Sequence, residues 1–366
     1  MRRKVLILCM AIFSLTIGMT NMITAQKLIP PSNPDIQYYG RWDKNDSLHY
    51  RHSWPGAYII VTFTGTKIGV RLADNTSYYN VYIDGKMHSI FHSDDAGEKD
   101  YIIADSLRDT THTLRFSKRN FSFNQIPVFA GFILDNNGRI LPSAPEPKRK
   151  IEFVGDSFTA AEGNEAKELV MKWEDKFPVT NMDKGFAPLI AEHFGAQYIT
   201  TCRSGGGMVC DWQGDTTLTV ADRFDRTLME SPEPKWDFKK WIPDVVVICL
   251  GLNDHSGLIG KEKEVPDDKS EFFRKGYKKF LARVRTVYSG VKIVAVAAHI
   301  PWIQKNVKEV IDEQKAAGHN DVYYAQFGIF EGGYVANGHP TVETDKKIAD
   351  EIINAMEKYK VFGDSK

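Results

Sequence analysis

The sequence predicts two units in tandem: an all-β sandwich or jelly roll over residues 26–147, then an α/β unit with a parallel sheet over residues 148–366. Three observations predict this. Residues 37–141 read as short alternating runs rich in β-branched and aromatic residues, with no convincing helical period. A proline-rich polar stretch, Leu141-Pro-Ser-Ala-Pro-Glu-Pro-Lys-Arg-Lys150, follows them. Beyond it, short apolar runs alternate with helix-like segments, the pattern of a parallel sheet covered on both faces. A length of 366 residues suits two domains at about 100–200 residues each.

Ahead of the first unit stands a segment that does not belong to the fold. Arg2, Arg3 and Lys4 precede an apolar run over residues 5–19, and Ile23-Thr24-Ala25 supplies small residues before Gln26. A basic start, a short apolar core and a small-residue site describe a secretory signal peptide over residues 1–25, cleaved near Ala25. The run is shorter than the roughly 20 apolar residues of a membrane span. No later stretch is long enough, so the mature chain is not expected to insert into a membrane. Cys9 lies inside the apolar core without small residues before it, which argues against a lipoprotein.

The whole chain carries 47 basic and 47 acidic side chains, a formal charge of zero. Loss of the leader leaves 44 against 47, or −3. Neither value gives an electrostatic reason to expect nucleic acid as a partner. Export also changes what the cysteines mean. Cys202, Cys210 and Cys249 remain, and an odd number in an oxidising compartment implies at least one free thiol. Cys249 sits in the apolar run VVVICL and reads as a buried hydrophobe. Cys202 and Cys210 flank a glycine-rich loop and could pair. Zinc-type spacings are absent, so no metal and no cofactor is expected.

In the first unit the runs AYIIVTFTG, KIGVRLAD, YYNVYIDG, DYIIAD, HTLRFSKR and VFAGFILDNNG suggest seven or eight strands, punctuated by Pro55-Gly56, Asp84-Gly85 and Asn137-Gly138. The proline-rich stretch reads as a semi-rigid linker, with a boundary near residue 147. In the second unit IEFVGDS, AQYITTCRSGG, DVVVICLGLND and KIVAVAAHIPW read as strands. Helices are expected over residues 185–194, 271–288 and 344–359. In the second of these, Phe273, Tyr277, Phe280, Leu281, Val284 and Val287 share one helical face.

Ligands in such sheets collect at the carboxyl ends of the strands. The first run ends in Gly155-Asp156-Ser157, placing a hydroxyl at the sheet edge and an amide near a helix start. The flanks are not those of a G-x-S-x-G elbow, and a capping serine would look similar. Asp156 reads as a structural hydrogen-bond partner. The second run ends in Arg203-Ser204-Gly205-Gly206-Gly207, where glycine lets an amide approach a ligand closely. The third ends in Gly251-Leu252-Asn253-Asp254, whose asparagine can donate a side-chain N–H, although Asn and Asp are also common turn residues. Asn337-Gly338-His339-Pro340 precedes the last helix and offers a general base. Together these supply an acyl-transfer set: Ser157 as nucleophile, His339 as base, and the Ser157 amide, Gly205 amide and Asn253 side chain as oxyanion donors. Trp212 and Trp302 follow the second and fourth runs and could stack on a sugar ring or simply cap the core.

The four blocks resemble the SGNH, or GDSL-type, hydrolases over residues 151–360. Upstream, Gly40-Arg41-Trp42-Asp43, Trp54-Pro55-Gly56-Ala57-Tyr58, Phe63-Thr64-Gly65-Thr66 and Tyr82-Ile83-Asp84-Gly85 are similar to the jelly-roll domain of carbohydrate esterase family 2. The resemblance implies a secreted, metal-independent serine esterase that removes O-acetyl groups from plant polysaccharide of the xylan or glucomannan type. It departs at one position. SGNH enzymes usually carry an aspartate three residues before the histidine, and here that residue is Ala336. A Ser–His dyad with a backbone carbonyl holding the imidazole, a substitute acid such as Glu331, and an inactive protein all fit this departure; the dyad is favoured because the other three blocks are intact. Two other readings stand beside the esterase: a carbohydrate-binding protein with a vestigial SGNH unit, and an esterase acting on another acetylated glycan. A structural role would call for repeats, and none are present.

Overall fold

The computed structural model describes residues 26–123 and 125–363, so the segment read as a signal peptide lies outside it. Among the described residues the first unit contains two six-stranded antiparallel sheets. One orders Trp42–Asp46, His49–His52, Val128–Asp135, Ile68–Ala73 and Lys99–Ala104, with Gln26–Ile29 also paired to Val128–Asp135. The other orders Ile140–Leu141, Tyr58–Gly65, Thr110–Lys118, Tyr78–Ile83 and Lys86–His92, with Gln37–Tyr39 on Tyr58–Gly65. The two-residue period sends Ile59, Val61 and Phe63 inward, into one core with Val70, Leu72, Phe132 and Leu134. The count exceeds the seven or eight expected strands. The extra ones, such as Gln37–Tyr39 and Ile140–Leu141, are too short to show a period.

The second unit carries five parallel strands: β1 (Arg149–Gly155), β2 (Ala196–Cys202), β3 (Val245–Cys249), β4 (Lys292–Ala297) and β5 (Val322–Gln326), in the order β2-β1-β3-β4-β5. β3 is buried along its whole length, as a central parallel strand must be. Among the described residues five helices of eight residues or more accompany the sheet: α1 (Phe186–His193), α2 (Leu252–Ile259), α3 (Asp267–Val287), α4 (Pro301–Ala316) and α5 (Val342–Lys358). α1 packs on α5, and α3 on α4. The expected helices at 185–194, 271–288 and 344–359 correspond to α1, α3 and α5, with ends displaced by a few residues. α4 was not foreseen, although Ile303, Val307, Val310 and Ile311 lie on its buried face and Pro301 opens it in the favoured first-turn position.

The proline-rich stretch is not a free spacer. Gln37 Nε2 donates to the Ala144 carbonyl at 2.8 Å, Ser143 Oγ to Asp35 at 3.2 Å and Gln197 Nε2 to Pro147 at 2.7 Å. These bonds clamp it between the units that it was expected to separate. Cys202, Cys210 and Cys249 are all free and buried, so the pairing considered for Cys202 and Cys210 is not formed. Cys202 lies beside Trp54 and Phe121, whereas Cys210 and Cys249 belong to the core of the α/β unit, Cys210 with its Sγ 4.0 Å from the Asp254 carbonyl. No helix among the described residues is long and apolar enough to cross a membrane.

A buried polar seam joins the units. Arg41, fully buried, donates to Glu152 Oε1 at 2.7 Å and to the carbonyls of Phe224 and Arg226 at 2.6 and 2.8 Å. Thr201 Oγ1 of β2 also donates to Glu152 Oε1, at 2.7 Å. Trp54 Nε1 reaches the Thr227 carbonyl at 3.0 Å, and Arg115 pairs with Asp183 at 2.7 Å. Removing one partner of a buried ion pair leaves an uncompensated charge, so Arg41→Ala is expected to cost about 3–5 kcal/mol in a denaturant titration.

Candidate active site

β1 delivers Ser157 to the carboxyl edge of the sheet through Gly155. A Cβ there would stand 1.9 Å from Thr159 Oγ1 and 3.0 Å from the Cys249 carbonyl, so only glycine lets the turn fold back so tightly. Asp156 is fully buried and accepts the Phe158 amide at 3.0 Å. Burial pushes its carboxyl up to about 7.

The loop after β2 is pinned from below. Asp254, on the first turn of α2, accepts the amides of Met208, Val209 and Cys210 at 2.8, 2.7 and 3.2 Å. Burial raises this carboxyl to about 6, against the lowering effect of those same amides. Gly205 takes φ +75°, and a Cβ would sit 3.1 Å from Trp212 Cδ1. Among the described residues no acceptor takes the amide of Ser157 or of Gly205. Asn253 Nδ2 donates to the Gly206 carbonyl at 2.9 Å, with Asp156 Oδ2 at 3.4 Å.

His339 leaves a short hairpin in which Val335 pairs with His339. Between them Ala336, Asn337 and Gly338 all adopt positive φ, and the turn directs the Ala336 carbonyl onto the ring. His339 Nδ1 lies 2.7 Å from that oxygen. A carbonyl only accepts, so Nδ1 carries the hydrogen and Nε2 presents its lone pair. Ala336 itself is fully buried, its methyl pressed against Gly163, and its amide is held by the Glu168 carbonyl at 2.8 Å. Glu331, weighed as a substitute acid, is exposed and makes no hydrogen bond or ion pair with the imidazole, whose Nδ1 is held by the Ala336 carbonyl.

Ser157, Gly205, Asn253, His339 and Trp212 line one cavity of about 680 Å³. No hydrogen bond joins Ser157 Oγ to His339 Nε2, a looseness common before substrate binds. Trp212, 56% exposed, forms part of the mouth. Trp302 does not reach the cavity: it packs on Phe273 with centroids 4.9 Å apart and donates Nε1 to Ser270 at 2.9 Å. Residues not singled out from sequence complete the lining. Phe123, from the first unit, stacks on Trp173 at 5.4 Å and 8°, and Arg203 caps Phe123 at 4.7 Å. Glu162 and Lys176 lie deeper, paired at 2.6 Å. The Phe-Ser-Phe run at 121–123 and the isolated Trp173 were the available signals, but nothing local to either points toward the serine. Among the described residues no group of three His, Cys, Asp or Glu side chains could hold a metal ion.

A parallel sheet in this order, presenting serine, glycine, asparagine and histidine at its carboxyl edge, defines an SGNH-type hydrolase unit. Residues 153–347 match the GDSL-like Lipase/Acylhydrolase family, and the chain belongs to it. Residues 38–145 match Carbohydrate esterase 2 N-terminal. The chain is 29% identical over 330 residues to Cellulase/esterase CelE of Acetivibrio thermocellus, covering 87% of this chain but only 39% of that protein. It is 26% identical to an acetylxylan esterase / glucomannan deacetylase of Cellvibrio japonicus, covering 86% and 88% of the two chains. A family two carbohydrate esterase from Clostridium thermocellum, solved in complex with cellohexaose, superposes with a TM-score of 0.79 at 26% identity, covering 88% and 98%. The chain is therefore a GDSL-like hydrolase whose N-terminal unit is similar to that of the family 2 carbohydrate esterases.

The raised carboxyl of Asp156 has a consequence for stability. The folded state holds this proton more tightly than the unfolded chain, so its contribution is full below about pH 4 and is lost as pH rises through about 7. Asp156→Asn is expected to flatten the fall in denaturant midpoint between pH 4 and 7, measured beside wild type.

Proposed function

We propose that the protein is exported and removes O-acetyl groups from plant polysaccharide of the xylan or glucomannan type through a Ser–His acyl-enzyme mechanism. Ser157 Oγ attacks the acetyl carbonyl while His339 Nε2 takes its proton. The oxyanion rests on the amides of Ser157 and Gly205 and on the Asn253 side chain, which keeps one N–H on the Gly206 carbonyl and exchanges its long 3.4 Å bond to Asp156 for the oxyanion. His339 then returns the proton to the departing sugar oxygen, and water, activated by the same imidazole, hydrolyses the acetyl-enzyme.

The observation that carries this reading is the 2.7 Å contact between His339 Nδ1 and the Ala336 carbonyl, in a cavity shared with Ser157. It supplies the tautomer that a base needs without an aspartate at position 336. The unengaged amides of Ser157 and Gly205 support an oxyanion site. The Phe123–Trp173 stack and Trp212 offer the apolar faces on which pyranose rings rest. The likeness to proteins named as acetylxylan esterase / glucomannan deacetylase supports the choice of substrate.

Acetate release from acetylated xylan, glucomannan and pectin tests the proposal. Release from the first two is expected, with Ser157→Ala folded and inactive; acetate released by that variant would end the mechanism. Asn253→Ala is expected to lower kcat by about 10²–10³, as loss of an oxyanion donor does elsewhere.

A further inference from the structure

One buried ion pair in the cavity is not used by the mechanism above. Glu162 is 1% exposed, and its backbone amide donates to the Ser157 carbonyl at 3.0 Å. Oε1 accepts Lys176 Nζ at 2.6 Å and stands 3.7 Å from His339 Nε2. Oε2 accepts the hydroxyl of Ser204, the residue before Gly205. One residue thus holds the nucleophile turn through its amide and faces the glycine loop and the histidine through its carboxylate. Lys176 has no other carboxylate partner among the described residues, and its ammonium also lies 5.6 Å from the Trp173 ring.

We propose that Glu162 and Lys176 are a charge-balanced positioning pair that sets how readily His339 takes up a proton. The inference rests on the Ser–His reading above. The Ala336 carbonyl orients the ring but is neutral, so it gives the imidazolium none of the Coulombic support that an aspartate provides. Glu162 gives that support from the Nε2 side. At 3.7 Å it lies beyond hydrogen-bond length and, being an acceptor, leaves the ring lone pair to the Ser157 hydroxyl. Lys176, paired with the same oxygen at 2.6 Å, balances the carboxylate's charge and tempers its field at the imidazole.

Other charged groups nearby are committed elsewhere. Arg203 is held by Glu230 at 2.7 Å, Asp211 accepts the amides of Gln213 and Asp215, and Asp345 accepts Asn164 Nδ2 at 3.1 Å. Asp156 is bonded to the Phe158 amide on the serine turn. His299 packs toward Phe158 and Tyr334.

The test is the acid limb of the kcat/KM profile for p-nitrophenyl acetate. Glu162→Gln leaves an unbalanced ammonium, so the limb is expected to move to lower pH by about one unit and kcat to fall. Lys176→Met leaves an unbalanced carboxylate, so the limb moves to higher pH. The double variant returns toward wild type, and Glu162→Asp, which keeps the charge, restores the limb if Lys176→Met fails to fold. Opposite shifts with cancellation establish the pair's role. An unmoved limb, or shifts in the same direction, overturns it and leaves a structural buttress. Ser157→Ala, run alongside, separates the two failures: an active Ser157→Ala sinks the Ser–His reading, whereas an inactive one with unmoved limbs sinks only the pair.

Discussion

The architecture turns on a guanidinium buried where two folding units meet. Arg41 belongs to the sandwich, yet every hydrogen bond from its guanidinium among the described residues ends in the α/β unit: on a carboxylate of β1 and on two carbonyls in the segment leading to β3. Glu152, its partner, also accepts a hydroxyl from β2. The two adjacent strands that carry Ser157 and Gly205 are therefore tied to each other and to the sandwich through one carboxylate. An ion pair so deeply buried contributes little net stability, because desolvation opposes its attraction. It penalises any docking that leaves either charge alone, which fixes the angle between the units. Phe123 depends on that angle, since it forms the cavity wall from the sandwich side.

Much of this arrangement was readable from residue order. The change of period near residue 147 reflects a real change from antiparallel to parallel pairing, and the polar residues ending β1, β2 and β3 do gather at one edge. Reading by local pattern has a reach of a few residues, however. It singled out Ser157, Gly205, Asn253 and His339, which line one cavity, because each stands shortly after a strand or before a helix. It missed Glu162, Lys176, Phe123 and Trp173 because they meet the cavity through turns without a period. Trp302 failed for the complementary reason: it does follow β4, but the helix that begins there carries its ring away from the cavity, toward Phe273.

The proline-rich stretch shows a further limit. Composition describes how a segment behaves when nothing touches it, and three hydrogen bonds from Gln37, Ser143 and Gln197 hold this one in place. Similarly, Asp254 looked like a turn residue beside Asn253. Its carboxylate instead organises the amides of residues 208–210, so adjacent side chains on one helical turn divide the work: one anchors the loop from below while the other faces the cavity.

The contact between Gly163 and the methyl group of Ala336 limits how this centre can change over evolutionary time. A carboxylate at position 336 would have to occupy a buried place already filled by the Gly163 turn, so accommodating one needs a coordinated shift of that turn and the histidine hairpin. The packing around this turn, and not only the chemistry of the side chain, decides which residues position 336 accepts.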